Sequence, residues 1–356
     1  MKINFIVPVI VRSGGIRVIF EFANRLTDAG NDVILYTPII PFNTYKPAIK
    51  KHVLKHQLRY ALEQWTGKAK MPADIFKYRF KIKAVPGINN FTIRNADAVF
   101  ATAWTTAQYV HSLSKAKGKK YYFIQDYEKW NSNIKLVDSS YTLPLNRIVI
   151  AKHLNLFLKE KFGSESKVIR YGLDFDTFNN PSKTFGKPVT LLYMDHQLPN
   201  KNAKAAIDTI LLIKEKYPGI SVKGFGMNIY NSIPDYFEFT KNPDDKKLQE
   251  LYSTSDIYIY PTLFEGCPTT PLEAMACKCA VVANAAAEIP FYITNKETGI
   301  LADPLKPEQL FEGVSYLINN PGELKRISQN GYESVTKMFR WDNSVNELLE
   351  FINNTN

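Results

Sequence analysis

Long apolar runs are missing. Nowhere in the 356 residues does one reach the roughly 18 to 20 that a bilayer-spanning helix needs, so no membrane span is expected. Cysteine is scarce as well. Cys267, Cys277 and Cys279 crowd into one stretch with no second ligand cluster, which excludes a disulfide scaffold and a zinc knuckle and leaves small packing residues. No G-x-G-x-x-G follows a strand-like segment, so a dinucleotide site has no support. No Gly/Ser-rich tract divides the halves, and any hinge between them is short. Met1 to Pro8 lacks the basic leader and cleavage site of a signal peptide, and a cytoplasmic protein is expected.

What is present points to two domains, since the length exceeds one comfortable core. Charge divides unevenly. Residues 1–170 hold 28 Lys and Arg against 11 Asp and Glu, a balance of +17, whereas the remainder balances at −6. A basic first half attracts anions such as nucleic acid, an acidic leaflet or a pyrophosphate-linked lipid. Within residues 46–83, eleven Lys and Arg face only Glu63 and Asp74, and Val53, Leu54, Leu58, Leu62 and Trp65 recur at helical intervals. That pattern fits docking on an anionic membrane surface and equally a solvated helix packed on its own domain.

Strand and helix signals alternate along both halves. Lys2–Pro8, a glycine loop, a helix to Gly30 with Val18, Ile19, Phe22, Ala23 and Leu26 on one face, and Asp32–Tyr36 make a βαβ unit. Asn95–Trp104 and Lys120–Glu128 read as further strands, Ile148–Phe162 as a helix, and Lys167–Asp174 as a strand and sharp turn at Gly172. The plan restarts with Val189–Met194, Ile220–Gly226, a helix over 244–253, Asp256–Tyr260 and Ala280–Ala283. Two α/β domains with doubly wound parallel sheets follow, at 1–168 and 169–340, with a last helix, 341–356, crossing back to the first.

The most informative stretch is Phe264-Glu265-Gly266-Cys267-Pro268-Thr269-Thr270-Pro271-Leu272-Glu273-Ala274-Met275-Ala276-Cys277. A strand stops at Pro261, and a helix starts near Thr270, with Pro271 at a first helical position and Thr269 or Thr270 as cap. Loop and helix dipole then aim at one point, an anion site flanked by two carboxylates eight positions apart. Taken alone, the pair is two ordinary surface acids at a helix start.

Glu265 to Glu273, with Gly266, Pro268 and the following Glu-Ala-Met-Ala, resembles the E-x7-E signature of retaining glycosyltransferases of family 4, which have the GT-B fold of two facing Rossmann-like domains with a cleft between them. The resemblance implies that Glu265 contacts the donor sugar, that the backbone from Gly266 through Cys267, Pro268 and Thr269 to Thr270 surrounds the donor diphosphate with its available amides, and that Glu273 holds the ribose hydroxyls. Gly14 and Gly15 match the family's Gly-Gly loop near the donor. Lys201 matches its phosphate-loop lysine; the partnering arginine is absent, and a protonated or hydrogen-bonding His196 stands in its neighbourhood. Thr102 occupies the place where many members carry an acceptor-side histidine. Phe123-Ile124-Gln125-Asp126-Tyr127-Glu128 resembles a stretch of members that build bacterial surface polysaccharides, rhamnosyltransferases among them, which makes Gln125, Asp126 and Glu128 acceptor-side candidates.

The implied activity is retaining, metal-independent transfer of a hexose or deoxyhexose from a UDP-, GDP- or dTDP-sugar to a saccharide or lipid-pyrophosphate-linked acceptor in bacterial polysaccharide synthesis. No cofactor is implied, and no D-x-D lies in a suitable loop to hold a metal. The location implied is cytoplasmic, with peripheral attachment to the inner face of the plasma membrane through residues 46–83. Rival readings are a nucleotide-sugar epimerase on the same fold, a catalytically silent sugar-nucleotide-binding subunit, and a nucleic-acid binder, which lacks any recognisable module.

Overall fold

The computed structural model describes residues 1–11, 13–40, 77–128 and 133–355, with Phe42, Lys55, Arg59 and Leu62. Most of the basic stretch 46–83 therefore lies outside the described residues. Contacts divide the chain into two compact units, Met1–Tyr171 with Trp341–Asn356, and Gly172–Arg340.

The first unit is built on β1 (Lys2–Ile6), α1 (Gly14–Asp28), β2 (Asp32–Pro38), β3 (Lys81–Val85), β4 (Ala98–Ala101), α2 (Trp104–Ser112), β5 (Lys119–Ile124), α3 (Ile134–Tyr141), β6 (Asn146–Val149), α4 (Lys152–Phe162) and β7 (Lys167–Val168). Its strands are all parallel, in the order β3-β2-β1-β4-β5-β6-β7. An all-parallel sheet is covered on both faces. Accordingly Ile3, Phe5, Val99, Phe100 and Tyr121 are fully buried. Ser13 starts α1 by accepting the Ile16 amide on its hydroxyl. The helix ends where Gly30, at φ 82°, turns the chain back into β2.

One expected helix is corrected here. Residues 148–162 do not form one helix: Ile148 and Val149 belong to β6, paired with Phe123 and Ile124 of β5, and only Lys152–Phe162 is helical. A short β-branched run has no periodicity of its own, and burial between β5 and β7 decides its state. The last helix, Trp341–Asn354, belongs to this unit. Its Trp341 ring meets Phe22 of α1 edge-on at 5.1 Å and lies under the Arg25 guanidinium at 4.6 Å.

The second unit runs β8 (Thr190–Met194), α5 (Ala203–Lys216), β9 (Ser221–Gly226), β10 (Glu238–Lys241), α6 (Asp245–Ser253), β11 (Ile257–Tyr260), α7 (Thr269–Ala276), β12 (Ala280–Asn284), β13 (Ile300–Ala302), α8 (Glu308–Asn319) and α9 (Pro321–Met338); the helix over 341–354 is α10. The strands are again all parallel, ordered β10-β9-β8-β11-β12-β13. Ile257 and Ile259 of β11 enter a core with Leu191, Ile207, Ile210, Val282, Val314 and Leu317. The alternating Tyr258 and Tyr260 point to the opposite face, as the two-residue period requires. The unit's ends meet, the Leu173 amide donating to the Phe339 carbonyl at 2.8 Å. Each unit thus has the 3-2-1-4-5-6 strand order of a doubly wound Rossmann-like fold.

Candidate functional site

In the second unit the strand order reverses between β8 and β11, so the loops at their carboxyl ends, residues 195–202 and 261–268, border the switch point where such sheets bind ligands. The two loops are stitched together. Asn200 donates its side-chain amide to the Phe264 carbonyl at 2.8 Å and accepts the Leu263 amide on its own carbonyl at 2.8 Å. Thr262 donates to that same Asn200 carbonyl at 3.1 Å. Below them, Asn284 of β12 donates to the Pro261 carbonyl at 2.8 Å.

This framework places Lys201 against Glu265, Nζ to Oε2, at 2.5 Å. The other oxygen of Glu265 accepts from the Tyr260 hydroxyl, and from Thr262 at 3.1 Å. Both side chains are mostly buried, so water screens the pair only in part. His196 braces its own loop. Its Nδ1 accepts the Leu198 amide at 3.0 Å, and burial, then the Lys201 charge, lower its pKa, with Glu265 and Asp195 pulling the other way. Burial and Lys201 thus favour the neutral, hydrogen-bonding imidazole over the protonated one.

Helix α7 begins one residue earlier than expected, at Thr269, with Pro268 in the capping position and no side chain capping it. Thr269 and Thr270 are the first two helical residues instead, and the Thr270 hydroxyl is turned inward, accepting from Tyr258 at 3.2 Å. Neither threonine caps because both lie inside the helix, past the capping position, and the Thr270 oxygen faces a buried phenol. Without a capping side chain, the first amides of α7 retain their appetite for an anion. Glu273, one turn on, is buried at 6 % exposure and accepts from the Tyr252 hydroxyl at 3.2 Å.

Beside this lies a turn held by Asp195, fully buried, whose Oδ2 accepts the Tyr230 amide at 2.7 Å and the Asn231 amide at 3.2 Å. Met227, Ile229 and Tyr230 stand exposed on that turn. Nothing in the spacing marked Asn200, Asp195, Tyr252 or Tyr258 in advance. Asparagine and aspartate at strand ends were the available signal, since they favour turns that bond back to backbone.

In the first unit, Gly14 and Gly15 are the opening residues of α1 rather than part of a loop. Among the described residues, a Cβ at Gly14 would meet nothing within 4 Å, and one at Gly15 would touch only the Gln125 amide at 3.5 Å. Packing against the described residues therefore does not demand glycine at either position. Gln125 donates to the Gly15 carbonyl at 3.1 Å. Thr102 donates its hydroxyl to the Ile6 carbonyl at 2.9 Å and its amide to the Thr106 hydroxyl. Asp126 accepts the Tyr127 amide at 2.8 Å, and its carbonyl accepts from Tyr141. Glu128 accepts the Trp104 amide, at the start of α2, at 3.0 Å. Burial pushes its carboxyl up to about 8; the Trp104 hydrogen bond opposes that rise and the Asp126 charge adds to it.

Among the described residues no three His, Cys, Asp or Glu side chains converge as metal ligands, and no helix is long and apolar enough to cross a membrane. Asp174, in the Asp-Phe-Asp at the start of the second unit, is engaged with the amides of Asp176 and Thr177 and the Thr177 hydroxyl.

Comparison with known proteins gives these arrangements a context. Residues 174–334 match the family described as glycosyl transferases group 1, and residues 2–153 match the family described as WsaF, N-terminal domain. An uncharacterized glycosyltransferase of Haemophilus influenzae is 29% identical over 172 residues, 45% of this chain and 47% of that protein. The first curated relatives are matched over 27%, 47% and 28% of their own lengths. Among solved structures, sucrose-phosphate synthase from Thermosynechococcus elongatus superposes with a TM-score of 0.73 at 14% identity, covering 99% of this chain and 98% of that one. Anabaena Alr3699/HepE in complex with UDP-glucose superposes with a TM-score of 0.71 at 13% identity, covering 100% of both. The fold is that of the GT-B glycosyltransferases.

Proposed function

We propose, from the match of residues 174–334 to the family of glycosyl transferases group 1, that this chain is a glycosyltransferase whose second unit binds a nucleotide-sugar donor. The observation that carries the proposal is the convergence of Lys201, Glu265 and the uncapped start of α7 at the switch point of the second sheet. Departure of a nucleoside diphosphate builds negative charge on the phosphates. The first amides of α7, its dipole and Lys201 are fixed beforehand around that charge, which lowers the barrier without reorganisation.

Glu265 then orients the sugar hydroxyls, and Glu273 takes the ribose. The acceptor's proton passes to the leaving diphosphate on the same face, which gives retention and needs no metal. A hexose or deoxyhexose donor, with a saccharide or lipid-pyrophosphate-linked acceptor, fits the basic first half of the sequence. Gly14, Gly15, Thr102, Gln125, Asp126 and Glu128 are the first unit's candidate ligand contacts, in a cytoplasmic enzyme of bacterial polysaccharide synthesis that docks on the inner face of the plasma membrane.

The test is a thermal-shift screen against UDP, GDP and dTDP and their sugars. At a hundredfold excess over Kd the bound nucleotide adds about 2.7 kcal/mol to the stability of the folded state. A stabilising nucleotide is expected, and Glu265→Ala should then lose turnover at saturating donor. Full turnover in that variant, or a protein indifferent to every nucleotide, removes the proposal.

A further inference from the structure

Three tyrosines reach the three polar side chains that define the loop and helix from 265 to 273. Tyr260 donates to Glu265, Tyr258 to Thr270 at 3.2 Å, and Tyr252 to Glu273 at 3.2 Å. They form one aromatic cluster beneath the site, Tyr258 and Tyr260 tilted with ring centroids 5.6 Å apart and Tyr252 and Tyr258 edge-on at 5.8 Å. All three are essentially buried, at 0, 0 and 2 % exposure for Tyr252, Tyr258 and Tyr260. Phenols in a packed aromatic cluster have few rotamers open to them, so each hydroxyl is a donor at a fixed place.

We infer that Tyr260 and Tyr252 are positioning residues for the two carboxylates, Tyr260 setting the orientation of Glu265 for turnover and Tyr252 that of Glu273 for nucleotide affinity. The inference rests on the proposed donor site. Burial, followed by the neighbouring carboxylate, drives both phenols well above their ordinary pKa, so each keeps its proton and stays a donor. Tyr292 supplies an internal control. It is also buried, beside Cys267 and Glu265, yet its hydroxyl has no hydrogen-bond partner among the described residues.

The test uses the full chain with Tyr260→Phe, Tyr252→Phe and Tyr292→Phe, against whichever of UDP, GDP and dTDP binds the unaltered protein, with hydrolysis of the matching sugar nucleotide as turnover. A hydrogen bond to a charged group is worth roughly a factor of ten or more. Tyr260→Phe should therefore lower turnover about tenfold with nucleotide Kd within about twofold. Tyr252→Phe should raise Kd about tenfold while turnover at saturation holds, and Tyr292→Phe should move neither. Equal behaviour of all three variants overturns the inference while leaving donor binding intact.

A second arm needs no nucleotide. In a double-mutant cycle of urea unfolding, Tyr260→Phe and Glu265→Gln should be non-additive. Additive effects overturn the inference. Absence of any nucleotide binding with coupling present overturns the donor-site proposal instead, and the hydroxyl–carboxylate contact stands.

Discussion

Lys201 and Glu265, 64 positions apart in sequence, form an ion pair at 2.5 Å that joins the two loops at the switch point of the second sheet. A lysine facing a phosphate and a glutamate facing a sugar would be separate contacts. In this structure each partly neutralises the other, which lowers the cost of holding both in a half-dry crevice.

Lys201→Met therefore acts twice. It removes the cation from the proposed diphosphate site and leaves the Glu265 carboxylate, among the described residues, with the Tyr260 and Thr262 hydroxyls. The expected outcome is a loss of about 1–3 kcal/mol in unfolding free energy, below the figure for a fully buried pair. Nucleotide affinity should fall at least tenfold. Urea unfolding and titration calorimetry check the two effects separately.

Gly226 ends β9 against the turn held by Asp195. A Cβ there would lie 2.4 Å from the Asp195 carbonyl oxygen and 3.2 Å from that of Asn228, and backbone cannot swing aside as a side chain can. Gly226→Ala should cost about 1–3 kcal/mol, as overpacking does, and displace the turn bearing Met227, Ile229 and Tyr230. Chemical denaturation measures the cost. Nucleotide Kd reports whether that turn borders the ligand.

Much of this organisation was legible in the sequence. The first strand and the helix after it, and the strand ending at Pro261 before α7, follow from periodicity and from proline placement. Three kinds of feature were not. Ile148 and Val149 gave a run too short to show a period, so packing decided it. The role of Thr270 depended on a phenol twelve residues away. The Asn200 bonds that bring Glu265 to Lys201 join loops far apart in the chain, and composition carries no trace of such a pairing.

Glu128 predicts a pH dependence. Its folded carboxyl titrates near 8, above the model-peptide value of 4.5, so the folded state binds this proton more tightly than the unfolded chain does. The resulting stabilisation is complete below about pH 4.5 and is lost as pH rises to 8. Glu128→Gln should flatten the decline of stability across that window, measured by urea midpoints at successive pH values. An unchanged slope would mean that the carboxyl ionises at its ordinary pKa.

His196 carries the opposite sign. With its folded pKa below the usual 6.5, the stability it contributes is present above that pH and is lost as pH falls through the folded value. His196→Gln, which keeps a hydrogen-bond acceptor for the Leu198 amide, should remove that acid-side loss and leave nucleotide affinity at pH 7.5 within about threefold. Thermal midpoints between pH 5 and 7.5 and one binding isotherm decide it.

The three thiols should separate by reactivity. Cys277 and Cys279 are buried, and burial pushes both thiols up to about 12, whereas Cys267 is partly exposed in the turn before α7. In the native protein a disulfide reagent should consume one thiol quickly and the other two only after denaturation. Modified Cys267 should weaken nucleotide binding, and bound nucleotide should slow the modification. Reaction of Cys277 or Cys279 first would contradict the packing described.

The hydrogen bond from Leu173 to Phe339 closes the second unit's two ends on one another, while α10 returns to lie against α1. Residues 172–340 are thus a cassette spliced into the first unit through one doorway. Recombination could exchange the second unit for a relative's by rejoining at that doorway alone, whereas trimming the carboxyl terminus would strip Trp341 from Phe22 and injure the half that lies earliest in the gene.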